Sequence, residues 1–301
     1  MKRTFASLIT LVFVCTANAQ VFINEFFANA PGADTGNEYF ELRGTPSLSL
    51  SGYYLLSLEG QGTTLRGDVN QFFDLGSFSI GANGYLFARQ AASQFAVQAG
   101  ATLVENTIGT GWGQVNVGGS SAGHSSDGTQ VDLENSATTI LLINIGSGTA
   151  PTLTTDLDTD DDGLLNLPAE WSVVDSVGVM DGVSGAATDF SYGSITLRAG
   201  ALGTNVVGNV IDVPAGTGTG FYVGRIGDST GSTANDWFGA VVNGTAGSPL
   251  NFLFTSASDL SFASRPLTDM NFGGVNPIPE PGLLALLGLG CLGFLLRRRI
   301  R

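Results

Sequence analysis

The chain reads as an all-β protein, expected to form an antiparallel β-sandwich. Three observations carry that reading. Short apolar and aromatic runs recur along the chain, turn-forming residues separate them, and helical periodicity is almost absent. Composition agrees: 43 of 301 residues are glycine, about twice the usual ~7%, and charged residues make up 13%, about half the usual ~25%.

Taken in order, Val21-Phe22-Ile23-Asn24-Glu25-Phe26-Phe27 opens as a strand dense in β-branched and aromatic residues, and Pro31, Gly32 and Gly36 turn the chain after it. Glu38–Arg43 alternates Phe40 and Leu42 with Tyr39, Glu41 and Arg43, the period of two of a half-buried strand. Ser51-Gly52 then precedes Tyr53–Leu58. Further strands are predicted at Thr63–Arg66, Gln71–Leu75, Tyr85–Ala88, Thr138–Ile145, Ser172–Val179, Ser194–Arg198, Phe221–Ile226 and Leu250–Phe254. Only Gln90–Gln98 reads as a short helix. Short strands without intervening helices favour a sandwich. No internal repeat or proline-rich hinge precedes Ser264, so one elaborated domain is expected over residues 20–263, with 264–276 as a linker.

Both ends read as addresses. Lys2-Arg3, the apolar stretch Leu8–Val14 and Ala17-Asn18-Ala19 ahead of Gln20 have the three-part pattern of a secretory signal peptide over residues 1–19, cut after Ala19. Cys15 follows Phe13-Val14, where a lipoprotein signal needs small residues. At the other end Pro279 and Pro281 flank Glu280 and lack N–H donors, which keeps that segment extended and open to a processing enzyme. The uncharged run Leu283–Leu296 follows as a predicted transmembrane helix 283–296, and its fourteen residues span roughly 21 Å at ~1.5 Å each. That is short of the ~30 Å hydrocarbon core, so snorkelling of Arg297, Arg298 and Arg299, or local thinning of the bilayer, would cover the difference. The arginines should stay cytoplasmic and place the rest of the chain across the membrane.

With both ends removed, the two cysteines (Cys15 and Cys291) are gone, which excludes disulfides and cysteine chemistry. Six arginines, no lysine and 25 acids remain, an excess of nineteen negative charges. Such a surface repels nucleic acid and suits divalent cations.

The strongest chemical candidate is Asp156-Leu157-Asp158-Thr159-Asp160-Asp161-Asp162-Gly163-Leu164-Leu165-Asn166, within an acidic insert at 146–170. Ca²⁺ takes six to eight oxygens around a tight turn. Asp158, Asp160 and Asp162 fall at alternating positions, Gly163 supplies the bend, Leu164 a carbonyl and Asn166 a further oxygen. Ala169 stands where an EF-hand needs glutamate, and Pro168 opposes an exiting helix, so the loop is closer to those of dockerin and thrombospondin repeats. The alternative is a solvated acidic hairpin tip.

Weaker constellations weigh against enzymatic function. Glu25, Glu38 and Glu41 could supply a glycosidase carboxylate pair. Ser121 matches G-x-S-x-G in Gly119–Gly123, but no helix follows, and His124, the only histidine, is three residues away. Gly109–Gly113 lacks the lysine of a phosphate loop. Trp112, Trp171, Trp237, Tyr53 and Tyr54 are candidate sugar platforms, with Asp236-Trp237-Phe238 expected on an exposed loop.

The tail resembles the PEP-CTERM sorting signal of Gram-negative bacteria that make exopolysaccharide, with Ile278 where the family usually has valine. The resemblance implies export through the Sec translocon and a transient stay in the inner membrane. An exosortase then cuts near Pro279-Glu280-Pro281, and the protein is delivered to the cell surface or matrix. Ile23-Asn24-Glu25, Glu38–Leu42, Leu50–Leu55, Ser79–Leu86, Thr138–Leu142 and Val173–Val177 are similar to the motifs of a lamin-tail domain, over roughly residues 21–179. That resemblance implies an immunoglobulin-like β-sandwich and a non-enzymatic binding or tethering role. Ca²⁺ is the candidate cofactor and exopolysaccharide the candidate partner. A carbohydrate-binding module is the first alternative and a secreted hydrolase the second.

Overall fold

The computed structural model describes residues 20–32, 37–61, 66–90, 93–106, 133, 137–153, 155–180, 189–200, 205–214, 216, 218–245 and 248–278. The signal sequence, residues 63–65 of one predicted strand, Trp112, Ser121, His124 and the tail from Pro279, including 283–296, lie outside them. Among the described residues no helix is long and apolar enough to cross a membrane.

The architecture is all-β. The strands are β1 (Val21–Ala28), β2 (Tyr39–Gly44), β3 (Tyr53–Glu59), β4 (Val69–Asp74), β5 (Tyr85–Gln90), β6 (Thr102–Asn106), β7 (Thr138–Asn144) and β8 (Ser172–Met180). They continue with β9 (Phe190–Ser191), β10 (Ile195–Ala199), β11 (Asn205–Val206), β12 (Asn209–Val213), β13 (Gly220–Arg225), β14 (Trp237–Asn243) and β15 (Leu253–Ala257). A seven-stranded sheet runs β15-β14-β13-β1-β2-β5-β6 and a six-stranded sheet runs β12-β10-β8-β7-β3-β4. β9 and β11 form a separate pair.

The two large sheets share one apolar core. Ile23, Phe26, Phe40, Leu42 and Val223 of the first meet Leu55, Ile140, Leu142, Val177 and Leu197 of the second. Each outer face is covered as well. A second cluster, including Leu56, Leu141, Leu157 and Trp171, lies where the insert 146–170 folds over the six-stranded sheet. Over the seven-stranded sheet, Phe272 sits in a box of Tyr39, Phe87 and Phe95, with ring centroids 5.3, 5.5 and 4.7 Å away. Segment 264–276, expected as a linker, therefore packs on this face, with Leu267, Met270, Phe272 and Asn276 buried.

Two expectations need correction. The sheets are mixed rather than antiparallel: β5–β6, β8–β10, β10–β12 and β9–β11 all pair in parallel. Parallel neighbours need a crossover, and here the β8-to-β10 crossover passes through the short strand β9 and the β10-to-β12 crossover through β11, instead of a hairpin. The result from β8 to β12 is solenoid-like. At Gly193 and Gly208 an added Cβ would meet the backbone of Gly178 and of Ser194, so the coils stack only because both are glycine. Second, residues 93–98 of the expected helix Gln90–Gln98 carry no helix, and Gln90 ends β5. Phe95 is fully buried there, and burial of one ring outweighs a weak local preference for helix.

Candidate functional site

The functional geometry begins at a β-bulge. Ile23 pairs with Leu42 and Glu25 with Glu41, so Asn24 is the extra residue in β1. A bulge reverses the face on which the next side chains emerge. Ile23 therefore points into the inter-sheet core while Glu25 and Glu41 meet on the outer face, under the C-terminal segment.

Inside, the bulge is clamped by an ion pair. Arg225 Nη2 donates to Asp175 Oδ2 at 2.6 Å, Arg225 Nε to Ile23 O at 2.8 Å, and Ile23 N–H to Asp175 Oδ2 at 3.0 Å. The guanidinium also lies 4.2 Å from the centroid of the Trp237 ring. Burial raises the Asp175 carboxyl despite Arg225 and lowers the Arg225 guanidinium despite Asp175. Desolvation thus outweighs attraction for both partners, as is usual for an enclosed pair.

Outside, Glu25 Oε2 accepts from Tyr222 Oη at 2.5 Å, Glu41 Oε1 accepts from Asn24 Nδ2 at 2.7 Å, and Glu41 Oε2 accepts from Gly273 N–H. Burial raises Glu25 to about 7, only partly offset by the hydrogen bond from Tyr222 and by the nearby polar groups of Asn276 and Tyr39. Glu41 lies well above the usual carboxylate range, through burial first and the Glu25 charge second. Both side chains are fully enclosed. Glu38 is enclosed too, bridging Asn29 N–H at 3.0 Å and Leu133 N–H at 2.8 Å. These glutamates organise backbone, and all three are buried.

The acidic loop is brought together at its centre. Carboxylate oxygens of Asp158, Asp160 and Asp162 lie within 4.8 Å of one another, Asp158 buried and the other two exposed. Asp158 anchors the loop: Oδ1 accepts Asp162 N–H at 3.0 Å, and Oδ2 accepts Gly163 N–H at 3.0 Å and Tyr192 Oη at 2.6 Å. Gly163 turns the chain at φ +88°, as the spacing implied. Asn166 Oδ1 accepts Thr159 N–H at 2.8 Å and Thr159 Oγ1 at 2.7 Å, between Asp158 and Asp160 in the chain. Leu164 N–H caps Asp162 at 2.8 Å. Asp68 faces the loop from before β4, its carboxyl raised to about 6 by burial and by Asp156, Glu59 and Asp161. The donors are all oxygens and carry excess negative charge, a set that suits Ca²⁺. All six arginines of the ectodomain are engaged, five with acids and Arg43 with the carbonyls of Gly227, Asp228 and Ser229. The acids therefore far outnumber the arginines available to neutralise them.

Three of the five candidate sugar platforms are buried, Tyr53 is half-buried, and Trp112 lies outside the described residues. Trp237, expected on an exposed loop, lies within β14 at 1% exposure, and Trp171 and Tyr54 are buried. Local sequence gave no warning, because Asp236 and Asn235 beside Trp237 resemble a turn. Sequence reading also missed Arg225, Asp175 and Tyr192 as interior polar anchors. Their partners lie 50 and 34 residues away, and the single hint was one arginine ending an apolar strand.

The path to the sorting signal is short. Among the described residues Asn276 is the last that is buried, Ile278 is 70% exposed, and Pro279 follows in the sequence. Gln20 and Val275 line one cleft of about 400 Å³ with Phe22, Arg43, Pro46 and Tyr85, so the first and last parts of the fold emerge at the same pole. No curated protein and no solved structure matched the chain significantly. The family model of the PEP-CTERM protein-sorting motif matches residues 277–299. An all-β fold therefore runs directly into a segment that the family model of the PEP-CTERM protein-sorting motif matches.

Proposed function

We propose that this is an exported, exosortase-sorted protein of the Gram-negative cell surface or exopolysaccharide matrix, with a non-enzymatic binding or structural role. The sorting motif at 277–299, joined to a folded, acid-rich and thiol-free ectodomain, carries this reading. On this reading the ectodomain is a lamin-tail-like, immunoglobulin-related module. The motif residues Asn24, Glu25, Glu41 and Asp175 support that, since they gather around one bulge as fold-defining groups. Ca²⁺ held by Asp158, Asp160 and Asp162 would neutralise the loop and could bridge it to anionic polymer. Burial of Glu25, Glu41 and Trp237 favours this reading over a hydrolase or a carbohydrate-binding module.

The test is expression of the full chain in paired hosts that differ only in an exosortase. Release of a shortened protein from the membrane in the exosortase-bearing host alone is expected. An uncleaved tail and membrane retention in both hosts would refute the sorting claim, as would full-length protein in the native cytosol.

A further inference from the structure

The C-terminal segment does not hang free of the fold before the sorting motif. Phe262, Leu267, Met270 and Phe272 are buried along the outer face of the seven-stranded sheet. Phe272 O accepts Gln98 N–H at 2.9 Å and Gly273 O accepts Asn83 Nδ2 at 2.8 Å, while Gly273 N–H donates to Glu41. Asn276 is enclosed beside the Glu25–Tyr222 pair. Only Pro277 and Ile278 separate this last anchor from Pro279, about 7 Å of extended chain.

An enzyme that cuts a peptide bond grips extended backbone on both sides of it, as strand-type peptide recognition requires. Here the residues on the amino side are held by the sheet. The membrane-directed run begins at Leu283, and the pole at which the segment leaves also carries Gln20. We propose that residues 262–276 act as a strap over the seven-stranded sheet, and that processing at the sorting motif acts on molecules whose strap has undocked. This rests on the exosortase reading above and adds a conformational gate to it. The docked strap holds the chain up to Asn276, on the amino side of the processing site, and the enzyme captures the locally open population.

The test is a pulse-chase in an exosortase-bearing host with four full-length chains. They are the natural chain, Phe272→Ala, a chain with a ten-residue Gly-Ser spacer after Asn276, and the spacer chain carrying Phe272→Ala. A fifth reporter carries residues 277–301 on a disordered carrier. Cleavage about tenfold faster or more is expected for the spacer chain and for Phe272→Ala than for the natural chain. Adding Phe272→Ala to the spacer chain should bring no further gain, because the spacer already frees the grip. That absence of additivity separates strap release from general destabilisation. Equal rates for the natural and spacer chains, with the carrier reporter cleaved, would overturn the strap and leave the sorting reading intact. An uncleaved carrier reporter would overturn both.

Discussion

The enclosed Glu25–Glu41 pair makes stability depend on pH in a direction opposite to that of a salt-bridged carboxylate. Glu25 moves from 4.5 to about 7 on folding, because burial disfavours its charged form. Between those values the folded chain holds a proton that the unfolded chain has lost. The stabilisation is therefore complete below pH 4.5 and is lost as pH rises through 7. At ~1.4 kcal/mol per pH unit, the loss between pH 5 and pH 8 comes to about 2 to 3 kcal/mol from Glu25 alone. Glu41 adds in the same direction, and Asp68, at about 6 and only partly buried, adds a smaller share. The assay is urea unfolding followed by tryptophan fluorescence at half-unit steps from pH 5 to 8, on the natural chain and on Glu25→Gln. The variant keeps a carbonyl for Tyr222 Oη but has no proton to lose, so its slope should be shallower by about 2 kcal/mol over the interval. Stability that is flat or rising with pH, or equal slopes in the two proteins, would refute the argument.

Two further outcomes follow from the same geometry. Arg225→Met should cost about 3 to 5 kcal/mol in urea unfolding, since it leaves Asp175 enclosed beside Ile23 with no countercharge. Adding Asp175→Leu should recover most of that loss, and a single-variant cost below about 1 kcal/mol would contradict the clamp. For the acidic loop, the thermal midpoint should rise with millimolar Ca²⁺, by as much as about 3 kcal/mol of stability at a hundredfold excess over Kd. No shift in the natural chain, or an equal shift after Asp158, Asp160 and Asp162 become Asn, would dismiss the ion.

Much of this molecule was legible along the chain. Strands β1, β2, β3, β5, β7, β8 and β13 fall within a residue or two of their expected places, because β-branched and aromatic runs between turn residues specify extended backbone locally. The Asp158–Gly163 turn was legible for a similar reason: alternating aspartates and a glycine at positive φ are a short-range pattern. The sorting motif too is read from order and composition, with no tertiary contact needed.

What the sequence left open was set by contacts between distant residues. Whether β8, β10 and β12 pair in parallel depends on the route of the chain through β9 and β11, which strand composition does not encode. The bulge at Asn24 sends Ile23 and Glu25 to opposite faces, and only the register with Leu42 and Glu41 reveals it. Trp237 became core, and residues 264–276 became a strap, because each found an apolar face that needed covering. Local sequence thus determined the extended segments, the acidic turn and the address. Burial, which couples residues far apart in the chain, decided which acids are enclosed, which aromatics are hidden and that residues 264–276 pack onto the sheet.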